Sequence, residues 1–375
     1  RYHQRLHRYV TAMRNGKPDR VPIRFFAAEF AARYAGLTSQ DVTHDYPKAF
    51  AAVRRCVADF DWDAVVGNMV YVWTGLTQAI GLRYYAIPGI HIPANTGFQY
   101  REPPENDAYM TPDDYDHLIA NPTEYLYTVW LPRVSSEIRS PNETATYRHS
   151  LALVKGAMAM LQYFYGLGEQ TAHLREKYGA VSAISGILKA PLDILADKLR
   201  GYLGLTQDLI ERPEKVLAAC KALAPHLLHV GLSGADPNHW VPIALWMHRG
   251  GVPFLTKDQF HEFYWHTLKP MLQAIWAKGH QVLLYAEGDW TPHLESFAEL
   301  PPASVVYHVD RGDLAETCRI LKNRFCISGG FPNYLLAYGT PTEVRKKCDE
   351  VLQLAADQGG YIADASAIVQ NDARV

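Results

Sequence analysis

The sequence predicts a (β/α)₈ barrel with helical and irregular elaboration near its amino terminus. Short apolar runs alternate with longer runs in which apolar residues recur at helical spacing. Strands that alternate with helices in this way are parallel and joined by right-handed crossovers, and eight of them close a barrel. The predicted strands are Val21–Phe26, Ala64–Val66, Ala180–Ile184, Val241–Met247, Gln281–Ala286, Val305–His308, Phe325–Ser328 and Gly360–Ala363.

The carboxyl-terminal half gives the clearest helix pattern. Gly279 is typical of a helix end, and Thr340 followed by Pro341 is typical of a helix start. The alternative fold is a doubly wound open sheet, but the sequence has no glycine-rich phosphate loop to support it. The helices predicted here are Lys257–Lys278, Thr291–Leu300, Asp313–Lys322 and Thr342–Ala356.

We expect residues 1–375 to form a single barrel domain. The apolar stretch Leu151–Gly168 contains Lys155 and Gln162 and is interpreted as a buried helix. Residues 84–110 are irregular and rich in proline, which is typical of a loop over an active site. Aromatic residues flank this loop and could wall an apolar pocket or simply pack in the core: Tyr71, Trp73, Tyr84, Tyr85, Phe98 and Tyr100.

The composition of the chain argues against nucleic-acid and membrane binding and favours a reducing cellular compartment. The formal net charge of the 375 residues is −2, so no long-range attraction to nucleic acid or to an anionic membrane is expected. The five cysteines are scattered, which favours reduced thiols and a cytoplasmic location. The chain begins with Arg1 and ends at Val375, and we expect further residues beyond both ends.

Polar residues collect just after five predicted strands. The carboxyl ends of barrel strands carry the active site, so these residues are the candidates for chemistry. We expect Glu287, His308 and Asp310 to be catalytic, with Asp310 orienting His308 or a ligand. Glu287, His308 and Asp364 are the candidate metal ligands, and the other four residues are the candidates for substrate binding. The candidates are His248, Arg249, Glu287, Trp290, His308, Asp310, Asn333 and Asp364.

Glu287 and His308 follow neighbouring predicted strands, which lie ~4.8 Å apart in a sheet. A carboxylate and an imidazole at that separation suit either a zinc site or an acid–base pair. Asp364 is a candidate third metal ligand. The alternative is that Glu287 pairs with Arg249 or Arg311 and that His308 is a barrel-rim histidine with satisfied hydrogen bonds.

Several short motifs resemble those of the uroporphyrinogen-decarboxylase superfamily. Gly16–Pro22 (GKPDRVP) resembles the entry to its first strand, and Ser328–Pro332 (SGGFP) resembles its GN-x-P turn. Gly339–Val344 (GTPTEV) is similar to its GTPEEV helix start, and Gly359–Ile362 resembles its last strand. The resemblance spans the chain and implies the same barrel fold.

Within this superfamily the chain departs from two patterns. Residues 28–34 keep only Arg33 and Tyr34 of the RQAGRY segment of the decarboxylases. The zinc-binding HxC motif of the thiol-activating methyltransferases is replaced by Tyr285–Glu287 (YAE). Residues 286–290 (AEGDW) and 308–310 (HVD) resemble instead a branch of demethylating methyltransferases with FEG-x-W and H-x-D segments.

This resemblance implies a methyltransferase that takes a methyl group from a small molecule, for example a methoxylated aromatic compound. The acceptor would be cobalamin on a separate corrinoid protein, and zinc on Glu287, His308 and Asp364 would assist. The resemblance also implies a homodimer. The alternatives are a decarboxylase and a non-catalytic relative that binds a ligand or a corrinoid protein.

Overall fold

The strands form two parallel sheets and one small hairpin. The structure is a computed structural model that describes residues 1–69, 74–101, 103 and 108–374. Its strands are β1 Arg24–Phe25, β2 Ala64–Val65, β3 Tyr85–Ala86, β4 Gln99–Tyr100, β5 Val181–Ser182, β6 Gly186–Lys189, β7 Ile243–Met247, β8 Val282–Ala286, β9 Val305–Val309, β10 Cys326–Gly329 and β11 Tyr361–Ile362.

The two parallel sheets join into a closed barrel. One sheet has the order β1-β2-β5 and the other β6-β7-β8-β9-β10-β11. A parallel bridge between Ile23 and Ala363 connects β11 to β1. On the other side, β5 and β6 are consecutive parts of one barrel strand, because Ala183 donates to Val65 and Ser185 donates to Pro242. The barrel therefore has eight strands, with β5 and β6 counted as one, which confirms the predicted fold class.

All eight predicted strands overlap an observed one, and two differences at the carboxyl ends of strands affect the candidate site residues. The third barrel strand, made of β5 and β6, continues to Lys189, beyond the predicted end at Ile184. The sixth, β9, continues to Val309 and so includes His308, which was predicted to be its last residue. As a result, Lys189 lies at the carboxyl end of its strand, and His308 lies inside its strand, one residue before the end.

Helices follow the barrel strands and cover the outside of the barrel. They are α1 Tyr2–Met13, α2 Glu29–Tyr34, α3 Ser39–His44, α4 Tyr46–Asp59, α5 Thr74–Ile80, α6 Tyr115–Ala120, α7 Pro122–Tyr125, α8 Leu131–Val134, α9 Tyr147–His173, α10 Pro191–Ile194, α11 Tyr202–Glu211, α12 Pro213–Ser233, α13 Lys257–Gln259, α14 His266–Ala277, α15 Leu294–Phe297, α16 Leu314–Leu321, α17 Asn333–Tyr338 and α18 Pro341–Ala355. Short 3₁₀ turns (Pro112–Asp114, Thr291–His293) and π-helical turns (Leu126–Trp130, Leu174–Tyr178, Leu195–Leu199, Phe260–Trp265) extend several of them.

The local helix signals are confirmed. Gly279, two residues beyond the end of α14, has φ +85°. Helix α18 starts with a capping box in which the Thr340 and Glu343 side chains each accept the other's backbone N–H. The predicted helix Leu151–Gly168 lies within α9, but its predicted burial is wrong. Leu161 and Tyr165 are 69% and 73% exposed, because α9 packs beside α5 outside the barrel.

Among the residues that the structure describes, one helix, α12, is long and apolar enough by length and composition to cross a membrane. It packs against β6, α6 and α14, as a core-facing helix of a barrel does. The cysteines, all of which lie within the described residues, are free, in agreement with the predicted reduced thiols.

The interior of the barrel is filled with side chains. Phe26, Trp246 and Tyr285 pack together there, with the Trp246 and Tyr285 rings stacked 4.9 Å apart. Helix α1 covers the amino end, where Tyr9 reaches in to donate its hydroxyl to the carbonyl oxygen of Ala183.

The GKPDRVP motif contributes ion pairs at this same end. Asp19 accepts two hydrogen bonds from Arg8, and Arg8 also pairs with the buried Asp63. Arg20 pairs with Asp61. The motif therefore stabilises the closed amino end of the barrel, opposite the end at which barrel active sites lie.

Candidate active site

A chain of charged side chains links the carboxyl ends of three neighbouring strands. Glu287, just after β8, accepts a hydrogen bond from His248 Nε2 at 3.1 Å. The Nδ1 of His248, just after β7, lies 2.7 Å from Asp197 Oδ2. Lys189, the last residue of β6, donates to the same carboxylate oxygen at 2.6 Å. We call Lys189, Asp197, His248 and Glu287 the strand-end chain.

His248 is held as an imidazolium in this chain. Burial opposes its charge, and so does the Lys189 ammonium, whose Nζ lies 2.8 Å from Nδ1. The hydrogen bonds with Asp197 and Glu287 outweigh both and raise the pKa of His248 to about 9. Burial acts against Asp197 as well, yet the His248 hydrogen bond and the Lys189 charge hold the pKa of Asp197 well below its usual range. The Glu287 side chain is 37% exposed, so the chain ends at a carboxylate that a substrate can reach.

Asp193 on α10 fixes the turn that carries His248. Its carboxylate accepts the backbone N–H groups of His248 at 3.2 Å and Arg249 at 2.7 Å, and the Tyr264 hydroxyl at 2.8 Å. Burial raises the pKa of Asp193. These three hydrogen bonds make Asp193 a positioning residue that orients two of the predicted site residues.

Arg249 contacts the strand-end chain at Asp197 and lines the adjacent cleft. Its Nε donates to Asp197 Oδ1 at 3.1 Å. Its guanidinium lies 5.1 Å from the Tyr202 ring centroid and 4.9 Å from that of Phe254, within the range of cation–π attraction. The predicted substrate-binding pair, His248 and Arg249, is thus brought together around Asp197.

His308 lies in a separate cluster inside the barrel. It is fully buried and stacks on Tyr285, with ring centroids 4.1 Å apart. Nε2 donates to the Ser366 carbonyl at 2.9 Å, and Nδ1 faces the Ser328 hydroxyl at 3.1 Å. Burial and the nearby Arg24 guanidinium lower the pKa of His308 to about 3, so the imidazole is neutral.

Asp364 belongs to this same cluster. Its carboxylate accepts a hydrogen bond from Arg24 Nε at 2.8 Å, and both side chains are almost completely buried. Burial outweighs the Arg24 charge and raises the pKa of Asp364 to about 6. We call Arg24, His308, Ser328 and Asp364 the barrel-interior cluster.

The structure does not assemble Glu287, His308 and Asp364 as one ligand set. In the β8–β9 register Tyr285 pairs with His308 and Ala286 with Val309, so His308 lies two residues below Glu287. Both ring nitrogens of His308 are hydrogen-bonded, and Asp364 is paired with Arg24. No group of three His, Cys, Asp or Glu side chains within the described part of the chain is arranged to hold a metal. The residues in this arrangement therefore do not fit the three-ligand zinc site.

Two further predicted residues, Asp310 and Trp290, stabilise the turn that carries Glu287. Asp310 accepts the Gly288 N–H at 2.8 Å rather than a bond from His308. Trp290 is buried and donates from Nε1 to the Glu287 carbonyl oxygen at 2.8 Å. Both therefore hold the turn that presents Glu287.

Asn333 is engaged away from this turn. Its side-chain amide donates to the carbonyl oxygens of Ala367 and Ile368 and accepts the Ala367 N–H. It ties the turn after β10 to the segment after β11, and its amide is not directed at the strand-end chain.

The irregular segment 84–110 contributes one wall of a cleft beside the strand-end chain. Within it, β3 and β4 form an antiparallel pair in which Tyr85 lies opposite Tyr100. The cleft is lined by Tyr100, Arg101, Pro103, Tyr109, Asp197, Lys198, Leu199, Gly201 and Arg249. Tyr71 and Trp73, two other predicted wall residues, lie outside the described residues.

Sequence reasoning missed Arg24, Lys189, Asp193, Asp197 and Lys198. Lys189 would have been found if the third strand had been extended through the apolar run Gly186–Leu188. Asp193 and Asp197 are four residues apart on the helix that follows. That spacing places both carboxylates on one face, which was a usable signal.

The chain belongs to the uroporphyrinogen decarboxylase (URO-D) family, whose model matches residues 123–372. No curated protein matches it. Among solved structures 23 chains match, and one of these is a methyltransferase from Methanosarcina mazei. That structure is 15% identical with a TM-score of 0.61, over 98% of this chain and 94% of the other. At this identity the likeness shows the fold.

Proposed function

We propose that this protein is a methyltransferase that takes a methyl group from a small methoxylated aromatic substrate and passes it to a corrinoid protein. The observation that carries the proposal is the strand-end chain, a charged acid–imidazole–acid relay beside an aromatic cleft. The family and the name of the similar methyltransferase structure support it. Asp310 and Trp290 would act by positioning Glu287.

The chemistry requires a proton donor at the leaving oxygen. When the C–O bond of an aryl methyl ether breaks, the methyl group leaves to the acceptor and the electron pair stays on oxygen. In the proposal His248 passes a proton through Glu287 to that oxygen, which gives a neutral phenol. Solvent then reprotonates His248, and Asp197 and Lys189 keep the imidazole in place.

In the proposal the methyl acceptor comes from outside the described site. The thiols of Cys56, Cys220 and Cys326 are buried, and burial raises the pKa of each, so they are poor nucleophiles. Cobalamin on a partner protein would supply a strongly nucleophilic cobalt that accepts the methyl group. The corrinoid partner, a homodimer and a cytoplasmic location are parts of the proposal that remain predictions.

Methyl transfer is tested with purified protein, a methoxylated benzoate and reduced cobalamin. We expect the absorption spectrum to change to that of methylcobalamin, with release of one phenol for each methyl group. Glu287→Gln should slow this about 100-fold or more, because the glutamine cannot relay a proton. The control is Glu316→Gln, which alters an exposed ion pair with Arg319 on α16. Equal rates in wild type and Glu287→Gln would contradict the relay.

Zinc also remains a prediction. Metal content of protein purified without chelators tests it, together with Glu287→Ala and His308→Ala. Stoichiometric zinc that disappears in either variant would mean that the strand-end chain and the barrel-interior cluster rearrange to share a metal. Zinc that persists in both variants would place any site elsewhere.

A decarboxylase is the second candidate, favoured by the surplus of basic residues around Asp197. The two residues retained from the decarboxylase segment do not contribute to this site. Arg33 donates to the Asn371 carbonyl, and the Tyr34 hydroxyl donates to Asp59. Release of CO₂ from a carboxylated substrate without cobalamin would favour this candidate. Ligand binding with neither reaction would favour a non-catalytic relative.

A further inference from the structure

The outer side of helix α9 carries an apolar surface that is open to solvent. Between Arg148 and Glu169, Lys155 is the only Asp, Glu, Lys or Arg residue. Six large apolar side chains on this helix, which we call the α9 face, are between 37% and 73% exposed: Leu153, Val154, Met158, Met160, Leu161 and Tyr165. A stretch of this kind on a surface helix marks a site of interaction.

The α9 face is directed away from the barrel because the opposite side of the helix is the packed one. The buried residues of α9 recur at steps of four and seven positions and so share one side: Ala152, Gly156, Tyr163 and Gln170. On that side Gln170 donates to the carbonyl oxygens of Phe50 and Gly67. Helix α9 also packs against α5. The α9 face is thus not needed to attach the helix to the domain.

The spacing of the exposed residues is that of a helix paired with another helix. Steps of four, three and four positions connect Val154, Met158, Leu161 and Tyr165. This spacing is the seam of a two-stranded coiled coil. With roughly half of each large side chain exposed, the six side chains present on the order of 600 Å². A standard interface buries about 800 Å² on each partner, so the α9 face is large enough to form most of one.

A charged edge runs beside the α9 face. Arg148, Lys155, Gln162 and Glu169 follow one another at intervals of seven residues and therefore lie on one flank of the helix. The flank is basic towards the amino end and acidic towards the carboxyl end. Lys155 and Glu169 are about 21 Å apart along the helix, too far to pair with each other. Both are exposed, and neither forms an ion pair within the described part of the chain.

This order of charges is complementary to a second copy of the same helix. A two-fold axis at Gln162 runs two copies of α9 antiparallel and keeps their charged flanks on the same side. Lys155 of each copy then lies opposite Glu169 of the other, so the favourable pair forms twice. A membrane surface would instead favour basic residues along the whole polar flank. The charges therefore favour self-association over membrane binding.

We propose that the chain forms a homodimer through antiparallel pairing of two α9 faces about Gln162. Leu161 and Tyr165 of the two copies pack against each other at the centre. The Lys155 and Glu169 pairs close one edge and determine the register of the two helices. The inference goes beyond the proposed function, because the surface lies outside the barrel and uses no residue of the strand-end chain.

The oligomeric state of the 375-residue protein tests the inference. Sedimentation equilibrium should give twice the mass of the 42.2 kDa chain. Leu161→Glu places like charges at the centre of the interface and should weaken the dimer at least about 100-fold. Leu203→Glu, at a leucine on α11 that is 65% exposed, is the matched control and should leave the dimer intact. Circular dichroism confirms that each variant is folded.

Three results of this measurement would overturn the inference. The first is a wild-type protein that is monomeric. The second is a dimer that Leu161→Glu leaves intact, and the third is a dimer that Leu203→Glu dissociates instead. A monomeric wild type that sediments with vesicles of phosphatidylglycerol and phosphatidylcholine would assign the α9 face to a membrane surface.

Charge reversal tests the antiparallel register. Lys155→Glu and Glu169→Lys each place like charges opposite one another twice and should weaken the dimer about 10-fold. An equimolar mixture of the two variants forms a heterodimer in which both pairs are opposite in charge. Its affinity should return to that of the wild type. A mixture that associates no better than the separate variants would contradict the antiparallel pairing.

The inference and the methyl-transfer reaction fail separately, because the mass measurement needs no substrate. A monomer that transfers methyl groups to cobalamin would remove the α9 interface and retain the reaction. A dimer that responds to Leu161→Glu but transfers no methyl group would retain the interface and remove the reaction.

Discussion

Two histidines at the ends of barrel strands have opposite charge states. His248, after β7, lies between two carboxylates and has its pKa raised to about 9. His308, in β9, lies beside Arg24 inside the barrel and has its pKa lowered to about 3. Both are largely buried, so burial alone does not separate them. The balance of the neighbouring groups decides which histidine carries a proton. At His248 the hydrogen bonds with Asp197 and Glu287 outweigh burial and the Lys189 charge, whereas at His308 the Arg24 charge adds to the effect of burial.

The comparison shows which cluster is suited to chemistry. The strand-end chain reaches an accessible carboxylate and holds a proton at neutral pH. The barrel-interior cluster has its hydrogen bonds satisfied by Arg24, Ser328 and Ser366, and its members are buried. We therefore assign proton transfer to the first cluster and stability of the barrel to the second.

The largest expected effect is on activity. His248→Gln should lower the rate of methyl transfer about 10²- to 10⁴-fold, because the relay loses its proton. The rate should be measured by methylcobalamin formation, with the fold checked by circular dichroism. His226→Gln, an exposed histidine on α12, is the control. A His248→Gln protein with wild-type activity would remove the distinction between the two clusters.

The next largest effect is on stability. Arg24→Met leaves Asp364 buried without its partner and should destabilise the protein by about 3–5 kcal/mol. Urea unfolding measures this change. Arg319→Met breaks an exposed pair with Glu316 and should cost less than about 1 kcal/mol. Similar losses in the two variants would mean that the barrel-interior cluster contributes little.

The pH dependence of stability sharpens the contrast. Because the folded pKa of His308 is depressed, its contribution is present above pH 6.5 and is lost as pH falls towards 3. The folded pKa of His248 is raised, so its contribution is present below pH 6.5 and is lost as pH rises through about 9.

One pKa unit corresponds to about 1.4 kcal/mol, so the contribution is at most about 5 kcal/mol for His308 and about 3 kcal/mol for His248. In urea unfolding across the pH range, His308→Gln should flatten the acid side of the stability profile and His248→Gln the alkaline side. If His308→Gln flattened the alkaline side instead, the assigned charge states would be reversed.

The smallest effect is expected at the turn that presents Glu287. Asp310→Asn weakens the hydrogen bond to the Gly288 N–H and should cost about 1 kcal/mol of stability. Turnover should fall several-fold while the KM stays constant, because the turn positions Glu287 and does not bind substrate. A changed KM with unchanged turnover would instead indicate contact with substrate.

The pattern of apolar residues was sufficient to predict the barrel. The strand β7 and the helix α18 lie close to their predicted positions, since buried strands and capped helices depend on local sequence. Glu287, His248 and Arg249 were predicted from their position after strands. The contact between Glu287 and His308 was not correctly predicted, because one more strand residue in β9 lowers His308 to the row of Tyr285.

The sequence by itself determined the family, the eight barrel strands and the collection of polar residues at their carboxyl ends, because apolar periodicity and short motifs are local properties of the sequence. The tertiary structure alone decided which of these residues meet. Arg24 reaches Asp364 across 340 positions of sequence, and Asp197 reaches His248 across 51. Strand register and burial determine such pairs, and these in turn set the charges of His248 and His308.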